Sequence, residues 1–283
     1  MAEAIRFLLG DEVVEIADAP PTTTVLDYLR ARARRPGTKE GCAEGDCGAC
    51  TVALGEPDGA GALRYRAVNS CLQLLPTLDG KQLLTIEDLA APDGALHPVQ
   101  QAMVDCHGSQ CGFCTPGFVM SLFALRHNDP GADAETTLQA LAGNLCRCTG
   151  YRPILDAARR AGADPVPDRF KLAAGATAER LAALARGRGF DYAHGGAVFH
   201  APATLDDATG LLARWPDAAL LAGGTDFGLW VTKEHREFAR IVSLAGVAEL
   251  KTVTRSGTHL EIGAAVTWTD AGPALAALSP DLD

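Results

Sequence analysis

Short apolar runs of strand length open the chain and give way to helical spacing further on. Residues 5–9 and 13–16 read as strands about the turn Gly10-Asp11. Thr24 is placed to cap a helix whose apolar residues Val25, Leu26 and Leu29 share one face, and Pro36-Gly37 ends it. Residues 51–54, 63–68 and 83–86 read as further strands. Strand, strand, helix, strand, strand is the order of a β-grasp sheet, with the loop 41–50 between helix and sheet.

The pattern changes over 95–161, which reads as four short helices packed as a compact bundle. The first starts at His97-Pro98 and stops at Gly108, with proline at the first helical position and glycine past the end. The others run from Thr115-Pro116 to about Asn128, from Thr136 to Ala142, and from Pro153 to Gly162. Residues 163–195 read as a linker, opened by Pro165 and Pro167 and closed by Gly187 and Gly189, with an Ala-rich helical piece at 177–185. From Phe199 onward strands and helices alternate. A helix at 205–214 follows Thr204, 220–222 and 241–244 read as buried strands, and 250–254 with 259–263 form a hairpin about Ser256-Gly257. The expected fold class is thus multidomain α+β: a β-grasp ferredoxin-like domain over 1–90, an all-helical domain over 91–162, a linker over 163–195, and an α/β domain over 196–283.

Composition narrows the chemistry. A chain of 283 residues suggests two or three domains. Its formal net charge of -10 argues against nucleic acid as a partner, since phosphates repel an acidic surface. Arg30, Arg32, Arg34, Arg35 and Lys39 form a local basic group that reads as a solvated helix face. The N-terminal apolar run is too short for a signal peptide, and no apolar stretch has the length of a membrane helix. A reducing, cytoplasmic location is therefore expected, where nine cysteines are better metal ligands than disulfides.

Eight of those cysteines form two sets. Cys42, Cys47 and Cys50 are spaced C-x4-C-x2-C, with Cys71 after 20 further residues, the plant-type [2Fe–2S] spacing. A two-iron core needs two thiolates on each iron, so the loop must wrap tightly. Gly41, Gly45 and Gly48 give it that freedom. Cys111, Cys114, Cys146 and Cys148 form the second set, C-x2-C and C-x-C, each just before an expected helix start that favours an anionic centre. One structural zinc is the competing reading, with more weight at the second set than at the first. Cys106 is left over and reads as a small core residue. His97, His107, His127 and His194 share no ligand spacing and read as structural or exposed.

Gly223-Gly224-Thr225-Asp226 follows a short strand, a turn in which backbone N–H groups converge on a phosphate. By itself it is a weak signal. Beside two clusters it suggests a flavin, which exchanges electrons singly or in pairs. No other nucleotide or hydrolase motif is present, and no substrate-oxidising site is visible on the chain.

The segments KEGCAEGDCGACTV (39–52), NSCL (69–72), GSQCGFCTPGFVMS (108–121) and LAGNLCRCTGYRPI (141–154) resemble the iron–sulfur part of molybdenum hydroxylases. PATLDDATGLL (202–212), LLAGGTDFGLWVTK (220–233) and IGAAVT (262–267) are similar to the opening of that family's FAD domain. The order, two clusters and then flavin on one polypeptide, resembles the family's xanthine dehydrogenase type. The resemblance implies a partner subunit whose molybdopterin hydroxylates a purine with water. Electrons then pass singly through two [2Fe–2S] clusters to FAD and on to NAD. It places Cys111, Cys114, Cys146 and Cys148 around the cluster nearer molybdopterin, and Cys42, Cys47, Cys50 and Cys71 around the one nearer FAD. It places Gln110 and Cys148 at the pterin, and Leu221, Ala222, Gly223, Gly224, Thr225 and Asp226 at the FAD pyrophosphate. An aldehyde or N-heterocycle substrate is the alternative within the family, and a zinc-stabilised interaction module the alternative outside it. The chain stops at 278–283, ahead of the family's second Gly- and Asn-rich flavin segment. A separate chain completing the flavin domain, or a shortened version of it, is the matching expectation, with poor FAD retention in isolation.

Overall fold

Thr24 accepts a hydrogen bond from the Asp27 backbone N–H and so starts the first helix, Val25–Asp27 (α1), which continues as a π-helical turn over Tyr28–Arg32. The computed structural model describes residues 3–163, 166–279 and 281. α1 lies on a five-stranded sheet made of Ile5–Leu9 (β1), Glu12–Ile16 (β2), Thr51–Pro57 (β3), Leu63–Asn69 (β4) and Gln82–Leu84 (β5). The strand order is β2-β1-β5-β3-β4, with β1 and β5 parallel and the other neighbours antiparallel. β5 is apolar at Leu83 and Leu84 and wholly buried, because both faces of the sheet are covered. Phe7, Val52, Leu54 and Leu83 face Val25, Tyr28 and Leu29; Leu8, Ala53, Tyr65 and Leu84 face the helical domain.

That domain consists of Pro98–Asp105 (α2), Thr115–Asn128 (α3), Ala134–Leu141 (α4) and Arg152–Gly162 (α5). α3 is buried nearly all round from Gly117 to Ala124, since it runs between the sheet and the other helices. Cys106 caps the C-terminal end of α2 and packs, half-buried, against this core.

Residues 163–195 differ from the expected linker. Pro165 lies outside the described residues. Asp168 caps a 16-residue helix, Arg169–Leu184 (α6), by accepting from the Phe170 and Lys171 backbone N–H groups, so the helix starts well before the Ala-rich piece. Phe170, Ala174 and Leu181 join the helical core. Arg186 then forks onto Asp79 at 2.8 and 2.9 Å and also pairs with Glu3. Phe190–His194 (β6) already belongs to the third region, as the first arm of a hairpin with Ala197–Ala201 (β7) about Gly195-Gly196.

The third region continues with Leu205–Arg214 (α7), Ala219–Leu221 (β8), Thr225–Thr232 (α8), Arg240–Ser243 (β9), the hairpin Val253–Ser256 (β10) and His259–Ile262 (β11), and Trp268–Ala276 (α9). Its sheet runs β6-β7-β9-β8. Tyr192, Phe199, Phe227 and Ile241 pack into the same core as Phe7 and Tyr28, so this region sits on the α1 side of the first sheet. Of the basic group after α1, Arg32 meets Asp18 at 2.9 Å, Arg35 meets Asp88 at 2.6 Å, and Arg30 donates to the Thr38 carbonyl. No helix among the described residues is long and apolar enough to cross a membrane.

Candidate cluster and flavin sites

The first cysteine loop is wound by its own backbone. Gly45 and Gly48 take positive φ values of 83° and 68°, where side chains are strained. A Cβ on Gly41 would lie 2.9 Å from the Cys47 Sγ, so glycine there lets the chain close over that sulfur. The Asn69 amide donates to the Gly45 carbonyl at 2.6 Å, and Thr51 Oγ1 donates to the Gly48 carbonyl at 2.7 Å. The Cys50 carbonyl accepts from Ser70 Oγ at 2.7 Å, which ties the loop to the segment bearing Cys71.

Within this loop the thiols meet in pairs, Cys42 with Cys47 and Cys50 with Cys71. Cys50 is lowered to about 7 because the Cys71 thiol donates to it, against the effect of burial. Cys71 is pushed far up by keeping that proton and by burial. Burial would raise Cys42 too, but backbone N–H groups, including that of Glu44 at 3.4 Å, hold it below its usual value. One thiol of each pair, Cys42 and Cys50, is thus favoured as thiolate, the state a metal requires, while its partner is raised, Cys47 by burial and Cys71 by keeping its proton.

The second set is also paired, Cys111 with Cys148 and Cys114 with Cys146. Cys114 is the N-cap residue of α3. Burial, then its hydrogen bond to Cys146, pushes Cys114 up to about 12. Burial would raise Cys146, but the Thr149 hydroxyl, 3.2 Å away, together with the backbone N–H groups of Thr149 and Cys148, outweighs it and lowers the thiol. Tyr151, with φ 68°, turns the chain into α5, and its hydroxyl accepts from the Cys146 N–H at 3.1 Å. Cys111 and Cys148 are exposed, whereas Cys50 and Cys71 are 2 % exposed.

Two irons and one zinc ask for different arrangements of four thiolates. Four thiolates on one tetrahedral zinc bring every sulfur within about 3.8 Å of the others, from a Zn–S distance near 2.3 Å. Among the described residues no three cysteine sulfurs lie within 4.8 Å of one another. Two pairs in each quartet fit a two-iron core, with two thiolates per iron.

The two loops are bonded to each other. Leu145 N–H donates to the Cys47 carbonyl at 2.9 Å, one residue before Cys146. Buried Asn144 donates to the Gly48 carbonyl at 3.0 Å and to Thr51 Oγ1 at 3.2 Å, and accepts from Ser121 Oγ at 2.6 Å. A Cβ on Gly117 of α3 would collide with the Gly48 carbonyl. Sequence reasoning missed Asn144. Its only signal was a polar residue inside the apolar run before Cys146.

The turn at 222–226 is open. Leu221 ends β8 and is buried, Ala222, Gly223, Thr225 and Asp226 are exposed, and Gly224 has φ 102°. No side chain caps α8, so its first N–H groups are free for an anion, which fits a pyrophosphate. Gly228 on α8 faces the first loop: a Cβ there would lie 2.7 Å from the Leu72 side chain. Lys233, at the C-cap of α8, donates to the Cys42 carbonyl at 2.7 Å.

His97, His127 and Asp168 form the one His/Cys/Asp/Glu group among the described residues with all donor atoms within 4.8 Å. Asp168 Oδ2 lies 2.8 Å from His97 Nε2 and 3.0 Å from His127 Nε2. The Val99 N–H donates to His97 Nδ1 at 3.2 Å, so the neutral ring carries its proton on Nε2 and donates it to Asp168. That proton excludes a metal from His97 Nε2. Packed between Phe123 and Phe170, the group clamps α6 to α2 and α3.

Known proteins match this layout region by region. Residues 9–74 match the 2Fe-2S iron-sulfur cluster binding domain, residues 85–159 the [2Fe-2S] binding domain, and residues 190–283 the FAD binding domain in molybdopterin dehydrogenase. Xanthine dehydrogenase from Drosophila subobscura is 34% identical over 306 residues, 93% of this chain and 22% of the relative. Aldehyde oxidase 2 from Cavia porcellus is 34% identical over 305 residues, 92% of this chain and 23% of the relative. The chain thus spans less than a quarter of the length of these curated relatives. The solved aldehyde oxidoreductase from Desulfovibrio desulfuricans superposes with a TM-score of 0.50 at 34% identity, over 57% of this chain and 17% of that one. Two iron–sulfur regions followed by a flavin region, with this identity across nearly the whole chain, make the chain similar from end to end to the iron–sulfur and flavin part of molybdenum hydroxylases.

Proposed function

We propose that this chain is the electron-relay part of a xanthine dehydrogenase-type oxidoreductase, passing electrons from a molybdopterin-bearing partner to FAD and NAD. The observation that carries the reading is the pairing of eight thiols into two quartets, two pairs in each. The sheet order of residues 5–84 supports a β-grasp reading of the first domain, and α2 to α5 a four-helix reading of the second.

When bound, the two clusters supply one-electron carriage, and FAD supplies the step from single electrons to hydride. The residues of this chain hold, orient and insulate. Cys42, Cys47, Cys50 and Cys71 hold the cluster on the flavin side, a side supported by Leu72 and Lys233, which touch α8. Cys111, Cys114, Cys146 and Cys148 hold the cluster facing the partner. Exposed Cys111 and Cys148 lie among exposed Phe113, Leu145 and Tyr151, apolar surface suited to a docked domain, with exposed Gln110 placed to reach the pterin. The Leu145 bond to Cys47 fixes one loop against the other. Leu221, Ala222, Gly223, Gly224, Thr225 and Asp226 seat the pyrophosphate.

The substrate is chosen on the partner, and a purine such as hypoxanthine or xanthine is proposed. Equal identity to an aldehyde oxidase favours an aldehyde as the second reading. The test is anaerobic addition of xanthine, hypoxanthine or an aldehyde to the complex with its natural partner, followed by EPR and NADH absorbance. Two distinct reduced [2Fe–2S] signals with a purine, and NADH formed, support the proposal. Reduction by aldehyde alone moves it to the second reading. A colourless, zinc-loaded, EPR-silent protein overturns both.

A further inference from the structure

α8 joins two sites that the sequence keeps far apart. Its N-terminal turn is the candidate pyrophosphate seat, and its C-terminal end reaches the first cysteine loop. Eight helical residues at 1.5 Å rise make a strut about 12 Å long. Midway along it, Gly228 leaves room for Leu72, the residue after Cys71; Leu72 packs with Cys50, Cys71 and Leu229. At the far end the Lys233 ammonium donates to the Cys42 carbonyl at 2.7 Å and meets the Glu44 carboxylate at 3.3 Å. Glu44 is itself bound to the loop, its backbone N–H 3.4 Å from Cys42 Sγ. Among the described residues this is the ammonium bonded to the backbone of a candidate ligand, and it comes from the flavin region, 191 residues away in sequence.

We propose that Lys233 is a positioning residue for the first cluster: it grips the Cys42 carbonyl, offsets Glu44, and so raises the cluster's reduction potential. The inference rests on the cluster reading of Cys42, Cys47, Cys50 and Cys71. Reduction adds negative charge to an already anionic centre, and a cation beside one ligand stabilises the reduced form. Because the cation is carried by α8, the first cluster reaches its working potential only with the flavin region docked. Among the described residues no cysteine of the second quartet makes an equivalent contact with α8, so the second cluster is an internal reference.

The test is an EPR-monitored redox titration of the cluster-loaded full chain, comparing K233M, K233Q and K233R with the parent. K233M removes both charge and donor, K233Q keeps a donor without charge, and K233R keeps the charge. The expected result is a fall in the first cluster's potential in K233M and K233Q by at least about threefold in the reduction equilibrium, about 28 mV for a one-electron couple. The second cluster's potential stays fixed, and K233R stays near the parent. Added salt shrinks the shift, because Lys233 and Glu44 are part-exposed. An unchanged first potential in K233M, or an equal shift of both clusters, overturns the proposal while leaving two clusters in place. Absence of a first-cluster signal in the parent overturns the cluster reading itself.

Discussion

The two cysteine quartets hold the same number of thiols by different means. The first is a wrapped loop, with Gly45 and Gly48 at positive φ and Cys50 and Cys71 sealed beneath Leu26 and Leu72. The second is assembled at helix ends: Cys114 caps α3, Tyr151 turns the chain into α5, and Cys111 and Cys148 stay exposed. Both loops use left-handed backbone, at Gly45 and Gly48 in the first and at Gly112, Gly150 and Tyr151 in the second, so what separates the quartets is the cover over their sulfurs. It also divides the labour. The first quartet is enclosed by this chain's own flavin region, while the second presents its outer sulfurs to whatever docks there.

The largest effect that sharpens the comparison comes from ligand removal. Cys71→Ser is expected to abolish the first reduced EPR signal and leave about two irons of four, with the second signal intact. Cys148→Ser should do the reverse, and metal analysis with EPR distinguishes the two. Next is the seam between the sites. Gly117→Ala drives a methyl into the Gly48 carbonyl, and overpacking of this kind costs about 3 kcal/mol. Denaturant unfolding should show that loss, and both EPR signals should broaden, because Asn144 and Leu145 no longer register one loop on the other.

A smaller, kinetic difference follows from exposure. In the chain without its partner, a chelator should strip iron from the second quartet before the first, read as sequential loss of the two signals. The reverse order would break the comparison.

The smallest effect is acid sensitivity near the second quartet, through α3, which carries Cys114 at one end and His127 at the other. Burial alone would raise Asp168, but His127 at 3.0 Å and the hydrogen bond from His97 outweigh it and hold the carboxyl well below the usual range. The unfolded chain therefore binds this proton at the higher pH, near a carboxyl value of about 3.9. The stabilisation is complete above that value, begins to be lost as pH falls through it, and is gone only below the lower value of the folded carboxyl. Asp168→Asn, which keeps the helix cap, is expected to cost about 2 kcal/mol at pH 7. The gap to the parent should narrow below pH about 4, as followed by urea unfolding at each pH.

Much of this was legible in sequence, for identifiable reasons. α3 and α7 were read over their full lengths because capping residues and breakers sit at their ends: Thr115-Pro116 and Thr204 at the starts, Asp129-Pro130 after α3. The thiol pairs lie in the quartets that the spacing grouped. α6 was read short because its cap, Asp168, directly follows the prolines that signalled a linker, and Arg169 in its first turn finds its partner, the Asp88 carbonyl, only through tertiary packing. α8 was taken for part of a turn, since GGTD signals a loop and the helix that follows is short. His97, His127 and Asp168 lie 71 residues apart at the extremes, and no local pattern marks a group that only folding brings together.

The most direct measurement of the central claim is metal content per chain in the purified holoprotein. The account predicts about four irons with matching acid-labile sulfide, as two dimetal centres require, and only traces of zinc. One or two zincs in place of iron would contradict it.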